Sequence, residues 1–178
     1  MAFVFKEGKM ASNVLDSSLT NAIAEVAMPD GALVVLGDLV ADTTYIATGV
    51  EYDTYEAAAP AAATDEVAII DYAGISEGPI NDNVYKMGVK LYNLTVPAGQ
   101  IARVRRLALH DKFWLGASNF ESTPVVGKYA TATAAKFTHT PASTLPQSGY
   151  AIKVLVENDL TVGMKSEGKI YLVEVVQL

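Results

Sequence analysis

Hydrophobic and polar positions alternate along most of the chain after residue 30, which is the period of β-strands. Segments rich in Gly, Pro, Asn and Asp separate these runs, as turns do. This pattern predicts a mainly β protein, an antiparallel β-sandwich or a barrel-like module. The runs that carry the prediction are "ALVVLGDLVA", interpreted as two short strands around a Gly-Asp turn, "EVAIIDYAGI", "YAIKVLVEND" and the C-terminal "KIYLVEVVQL", which we expect to pair inside a sheet.

The first 29 residues follow a different pattern. Several of their apolar residues recur at spacings of roughly three to five positions and can form one stripe of a helix: Val14, Leu15, Leu19, Ile23 and Val26. An extended arm that lies on another surface is the alternative. We therefore predict an N-terminal arm or short helix over residues 1–29 and a single β-rich domain over 30–178. Residues 72–122 are a candidate hairpin insertion in that domain.

All three arginines of the chain lie in the stretch "KLYNLTVPAGQIARVRRLAL", residues 90–109. The stretch predicts a hairpin, with Pro97 second and Gly99 fourth in a type I turn. On the returning strand, Arg103 and Arg105 share one face and Arg106 lies on the other. Two roles stay open for them: ion pairs with Asp or Glu of the same chain, or contacts with an acidic surface of a partner or sister subunit.

Composition narrows the functional classes. The chain is 51% apolar and 19% charged and contains no Cys, so disulfides and thiol chemistry are excluded. An Ala-rich core and a surface covered by a partner both explain the apolar excess. The N-terminus lacks the basic region of a signal peptide, and no apolar run is long enough to span a bilayer, so we expect neither export nor membrane insertion.

Charge is divided unevenly along the chain. Residues 10–85 contain 13 Asp and Glu and no Lys or Arg, whereas the other segments hold 7 acids and all 13 bases. The net charge of −7 argues against a nucleic-acid-binding protein. Opposite blocks of charge can attract each other within the fold or between copies of the chain.

The chain carries no recognised catalytic or phosphate-binding motif. His110, beside Asp111, is interpreted as part of a turn, and His139, between threonines, as a surface residue. The carboxylates of the acidic block, Asp30 and Asp71 among them, are interpreted as solvated. We therefore predict no catalytic, cofactor-binding or metal-ligating residues, and a protein that is not an enzyme.

The run "MPDGALVVLGDLVADTTYIATG", followed by an Ala/Pro-rich stretch and "EVAIIDYAG", resembles the β-rich head decoration (cement) proteins of tailed bacteriophages. The later runs "STPVVGKYATAT" and "YAIKVLVENDLTVG…KIYLVEVVQL" resemble the second half of such a module. The resemblance spans residues 29–178 and is longer than the smallest members. It rests on no catalytic motif.

This resemblance implies a structural virion protein, made in the host cytoplasm, that binds the major capsid protein on the capsid exterior and stabilises the shell. It also implies self-association, as trimers at local three-fold positions, and an N-terminal arm that docks on the capsid. Phe3, Val4 and Phe5 are then candidate partner-binding residues, together with Arg103, Arg105 and Arg106. Another virion or surface-assembly subunit and a glycan-binding β module stay open as alternatives.

Overall fold

The computed structural model describes residues 5–11, 19–40, 54–72, 95–162 and 165–178. The described residues confirm a mainly β fold, with one short 3-10 turn at Ala117–Asn119. The strands are Phe5–Lys9 (β1), Leu19–Ile23 (β2), Met28–Pro29 (β3), Leu33–Leu39 (β4), Thr54–Ala58 (β5), Ala68–Asp71 (β6), Thr95–Val96 (β7), Ile101–Arg106 (β8), Lys112–Gly116 (β9), Tyr129–Thr131 (β10), Thr140–Ala142 (β11), Ala151–Val162 (β12) and Lys165–Gln177 (β13). Among these residues, no helix has the length and apolar content that a membrane span requires.

Five strands close into a small barrel in the order β2-β5-β4-β6-β8. Every neighbouring pair is antiparallel except β2 and β5. Because so few strands enclose little space, small side chains suit the interior. The buried cluster of the barrel is accordingly rich in alanine: Ala22, Ala24, Met28, Ala32, Val34, Ala57, Ala68, Ile70, Val96, Ala102 and Val104.

The other main sheet has six strands in the order β1-β9-β13-β12-β10-β11, and one of its faces packs against the outside of the barrel. The first two residues of β4 and all four residues of β6 are buried. Leu33 and Ile69 join the core between sheet and barrel, whereas Val34 and Ile70 lie in the barrel cluster. Burial on both sides explains why "ALVV" and "VAII" are continuous apolar runs rather than alternating ones.

The predicted helix is wrong where the structure describes it, because Leu19–Ile23 is a strand paired with β5 and β8. Thr20 and Ala22 are its buried residues. Val14 and Leu15 lie outside the described residues. The described part of residues 1–29 contributes β1 to the edge of the six-stranded sheet and β2 to the barrel.

The predicted hairpin is also wrong in its described part. Strand β7 pairs with β3, and β8 lies between β2 and β6. The turn does exist, but the N–H of Gln100 donates to the carbonyl of Pro97 at 3.2 Å, so Gly99, at φ +73°, takes the third position of a type II turn. The "LVVLGDL" segment, residues 33–39, runs as one strand through Gly37 without the expected turn.

The C-terminal strand lies inside the six-stranded sheet, between β12 and β9, as predicted. Strands β12 and β13 form a long antiparallel pair that extends from Ala151↔Gln177 to Val162↔Lys165. Only five residues of β13, Ile170 to Glu174, also pair with β9.

Candidate partner-binding surface

Arg103 and Arg105 lie on the side of β8 that faces the N-terminal strand. Each is directly opposite a residue of β6 in the register, Asp71 for Arg103 and Ile69 for Arg105. Asp71 Oδ2 accepts from Arg105 Nε at 2.7 Å and from Arg103 Nη2 at 2.8 Å. Glu7 of β1 completes the cluster through an ion pair with Arg105.

These contacts separate the roles of the two arginines. The side chain of Arg105 is 3% exposed, and Asp71 is buried beside it. Of the two roles expected for the arginines, Arg105 therefore has the first, an ion pair with a carboxylate of the same chain. As a surface contact for a partner, Arg105 is ruled out by burial. The side chain of Arg103 is 41% exposed and remains accessible.

Arg106 points to the other side of β8, as the alternation predicts, and lies at one mouth of the barrel. Its guanidinium carbon is 5.6 Å from the centre of the Tyr55 ring, and Nη1 is 3.9 Å from Glu66 Oε1. Leu36 and Ala68 line the same open recess of about 220 Å³. Glu66 is largely exposed, so this ion pair contributes little to stability.

The N-terminal strand is fixed at both ends by buried carboxylates. The N–H of Phe5 donates to Asp30 Oδ2 at 2.8 Å, and the N–H of Ala11 donates to Asp111 Oδ1 at 2.7 Å. The ring of Phe5 packs on Phe113, with centroids 5.5 Å apart. The candidate residue Phe5 and the arginine cluster are therefore neighbours in space, whereas Phe3 and Val4 lie outside the described residues.

Asp30 is buried, which corrects its interpretation as a solvated carboxylate. Its Oδ1 accepts the N–H of Tyr72 at 3.0 Å, and its backbone carbonyl accepts from the side-chain amide of Asn119. Burial raises the pKa of Asp30 to about 7, although the N–H groups of Phe5 and Tyr72 favour the charged form.

His139 is fully buried, which corrects the prediction of a surface histidine. Its Nδ1 donates to the carbonyl of Asn119 at 3.1 Å, so Nε2 accepts from the hydroxyl of Tyr150, also at 3.1 Å. Burial lowers the pKa of His139 to about 4 and keeps the ring neutral. Asn119 thus connects Asp30 of the barrel with the His139–Tyr150 pair of the sheet.

His110 lies in a turn, as predicted, with φ +70°. Its Nδ1 is 3.1 Å from Glu174, whereas both carboxylate oxygens of Asp111 accept backbone N–H groups, from Ala11 and Ala108. Asp111 thus holds the backbone of this turn and of the N-terminal segment through its two oxygens. Within the described ranges, no group of three or more His, Asp or Glu side chains is arranged to hold a metal ion.

The pKa shifts of Asp30 and His139 predict opposite effects of pH on the free energy of unfolding. Asp30 has a raised pKa, so the folded state holds the proton more tightly than the unfolded state. Its contribution to the free energy of unfolding is fully present below pH 3.8 and is lost as the pH rises to about 7. His139 has a lowered pKa, so its contribution is full above pH 6.5 and is lost as the pH falls to about 4. Between about pH 4 and pH 6.5 the two contributions offset each other.

Single variants are expected to expose each slope. As the pH falls from 6.5, the free energy of unfolding of Asp30→Asn should decrease relative to the unsubstituted protein, because only the His139 effect remains. That of His139→Gln should increase, because only the Asp30 effect remains. Each slope is at most about 1.4 kcal/mol per pH unit. Urea unfolding at several pH values between 4 and 7 measures both slopes. Three parallel profiles would contradict the assigned shifts.

Comparison of the chain with protein-family models, with curated proteins and with solved structures gives no match.

Proposed function

We propose that the chain is a structural virion protein that binds the outer surface of a phage capsid and stabilises the shell. The observation that carries this proposal is the resemblance of residues 29–178 to head decoration proteins. The resembling runs form strands of both sheets, namely β4 and β6 of the barrel and β12 and β13 of the six-stranded sheet. The proposed partner is the major capsid protein, and the proposed site is the virion exterior.

Two features of the described residues support a role in binding: a charged cluster whose members pair with one another, and apolar side chains on the surface. The carboxylates of Asp71 and Glu7 neutralise Arg103 and Arg105 at the junction of the sheets. Exposed apolar side chains occur on both parts of the fold, among them Leu39 of the barrel and Val125 of the turn before β10. Such surfaces bind by covering area, and many equivalent contacts on a repeating lattice add up to strong attachment.

Incubation of the purified protein with expanded, undecorated heads tests this function. We expect saturable binding at a fixed ratio of copies to the major capsid protein, and a higher temperature of head disruption after binding. Heads that already carry their decoration protein are the matched control and should bind no further copies. Absence of binding to undecorated heads, together with a hit on a glycan array, would favour the glycan-binding alternative.

Arg103 and Arg106 allow a test of the two accessible arginines that keeps the buried Arg105–Asp71 bond and removes the Arg103–Asp71 ion pair. If they contact an acidic capsid surface, Arg103→Gln/Arg106→Gln should weaken head binding and reduce its dependence on salt. Unchanged binding at all salt concentrations would assign both residues to internal pairing alone.

A further inference from the structure

The six-stranded sheet has one face that points away from the barrel, and the centre of this face is apolar. The register places Trp114 opposite Leu172, and Leu172 opposite Val156, so these residues form one row across three neighbouring strands. Their sequence neighbours Phe113 and Val173 point inward and belong to the core. Val156 is 45% exposed, and Trp114 and Leu172 are partly exposed. A contiguous apolar row on the open side of a sheet is typical of an interaction surface.

Lysines lie at one end of this row and alongside it, and we call the row and its lysines the Trp114 face. Lys6 of β1 is opposite Trp114 and ends the row. The next row across the same face of the sheet consists of Lys9, Lys112, Glu174, Lys153 and Tyr129. Lys112 lies 3.8 Å from Glu174, so this carboxylate neutralises one of the lysines. The face therefore carries a net positive charge, although the chain as a whole is acidic.

The chemistry of the Trp114 face indicates what kind of molecule covers it. The aliphatic side chains of Leu172 and Val156 are stabilised by contact with apolar groups, which a protein surface offers and a phosphate backbone does not. The lysines favour acidic groups around that apolar contact. A nucleic acid or an anionic membrane has a much denser negative charge, which repels a chain with a net charge of −7. The face is thus complementary to a protein surface with an apolar centre and an acidic border.

We propose that the Trp114 face is the surface through which this chain binds the capsid, and that it covers an acidic, apolar-centred patch of the major capsid protein. This inference rests on the proposed function and adds to it the face that docks. The opposite face of the same sheet is already covered, because it packs against the barrel. The Trp114 face is also separate from the arginines of β8, which belong to the barrel.

Differential lysine labelling maps the docked face directly. The protein, free or bound to undecorated heads, is treated briefly with an amine-acetylating reagent, and its labelled peptides are quantified by mass spectrometry. On binding, labelling of Lys6, Lys9 and Lys153 should become slower by about tenfold or more, because an interface excludes water and reagent from the groups that it covers.

Lys128 is the internal control for labelling. Tyr129 and Lys153 are opposite each other and share a face, so the exposed Lys128, next to Tyr129, lies on the other side of the strand. Its labelling should be the same in free and bound protein.

Charge reversal tests the same face by affinity. Lys6→Glu and Lys153→Glu each place an acid against the acidic border of the partner, so each should weaken head binding by about tenfold and reduce its dependence on salt. Lys128→Glu changes the net charge by the same amount on the other side of the strand and should bind heads like the unsubstituted protein. Near-ultraviolet circular dichroism checks that all three variants are folded.

Trp114→Ala removes the apolar centre and leaves the charges in place. Aromatic residues at the centre of an interface contribute most to its affinity, so head binding should weaken by about thirtyfold or more. Its dependence on salt should stay the same as that of the unsubstituted protein, which distinguishes this variant from the lysine reversals.

The outcomes separate this inference from the function on which it rests. Failure of the unsubstituted protein to bind heads would overturn the capsid function and the assignment of the face with it. Saturable head binding in which Lys6 and Lys153 are labelled as fast as Lys128, or in which their reversals bind as well as Lys128→Glu, would overturn the assignment alone. Vesicles of phosphatidylcholine and phosphatidylserine are offered in parallel. Vesicle binding that Lys153→Glu abolishes, with head binding unchanged in that variant, would assign the face to a membrane surface instead.

Discussion

Replacement of Arg105 by methionine is expected to lower the free energy of unfolding by about 3 kcal/mol or more. The guanidinium is buried, and its Nε lies 2.7 Å from the buried carboxylate of Asp71. Methionine fills similar space but offers no donor, so Asp71 keeps only the partly exposed Arg103 as a cationic partner. The lost interaction also includes the ion pair to Glu7, which connects β1 to the barrel.

Arg106→Met is the control for this prediction. The residue is adjacent in sequence, but its side chain is 41% exposed and its carboxylate partner Glu66 is 89% exposed. We expect a loss below about 1 kcal/mol. Urea unfolding of both variants at neutral pH makes the comparison, and equal losses would show that the buried cluster is not what stabilises the junction between the sheets.

Gly149→Ala is expected to lower the free energy of unfolding by as much as Arg105→Met does, about 3 kcal/mol or more. Gly149 has φ +80°, a conformation that costs an L-residue roughly 1–2 kcal/mol. A Cβ there would also lie 2.2 Å from the backbone carbonyl oxygen of Ala63, in the barrel loop that packs against it. The loop would have to move, because a backbone atom cannot rotate away as a side chain does.

Gly127→Ala separates these two effects. Gly127 has a similar φ, +83°, but no heavy atom of the described residues lies within 4 Å of its Cβ position. We expect this variant to lose only the conformational part, about 1–2 kcal/mol. Thermal unfolding of the pair measures the difference, and identical losses would disprove the contact between Gly149 and the barrel loop.

The fold class was predictable because long alternating segments such as β12 and β13 are buried on one side only, which leaves a clear period of two. The continuous runs of β4 and β6 were recognisable as strands for the opposite reason, burial on both sides. Strand β2 was mistaken for a helix because its inward residues, Thr20 and Ala22, are not strongly hydrophobic. A narrow barrel accepts small side chains, so the inward side of β2 does not appear as an apolar pattern.

Only those features of the candidate site that depend on neighbouring residues in the sequence were predictable. Alternation placed Arg103 and Arg105 on one side of a strand, but their partner Asp71 is more than thirty residues away and becomes adjacent only through the β6–β8 register. The burial of His139 likewise depends on Asn119 and Tyr150. The sequence analysis also did not use the alternation in "KFWLG", where Phe113 and Leu115 point into the core and Trp114 points to the other side of β9.

The pairing of distant strands also constrains how this protein is made on the ribosome. Strand β2 meets its antiparallel neighbour through Leu19↔Arg105, and β1 pairs with β9 through Phe5↔Leu115. The parallel neighbour of β2, β5, is translated early, but the antiparallel neighbour of β2 and the partner of β1 appear only after well over half of the chain has been translated. The barrel and the six-stranded sheet can therefore be completed only late in synthesis, and slowing translation near the middle of the message would prolong the time in which β1 and the open edge of β2 are accessible to chaperones or to misassembly.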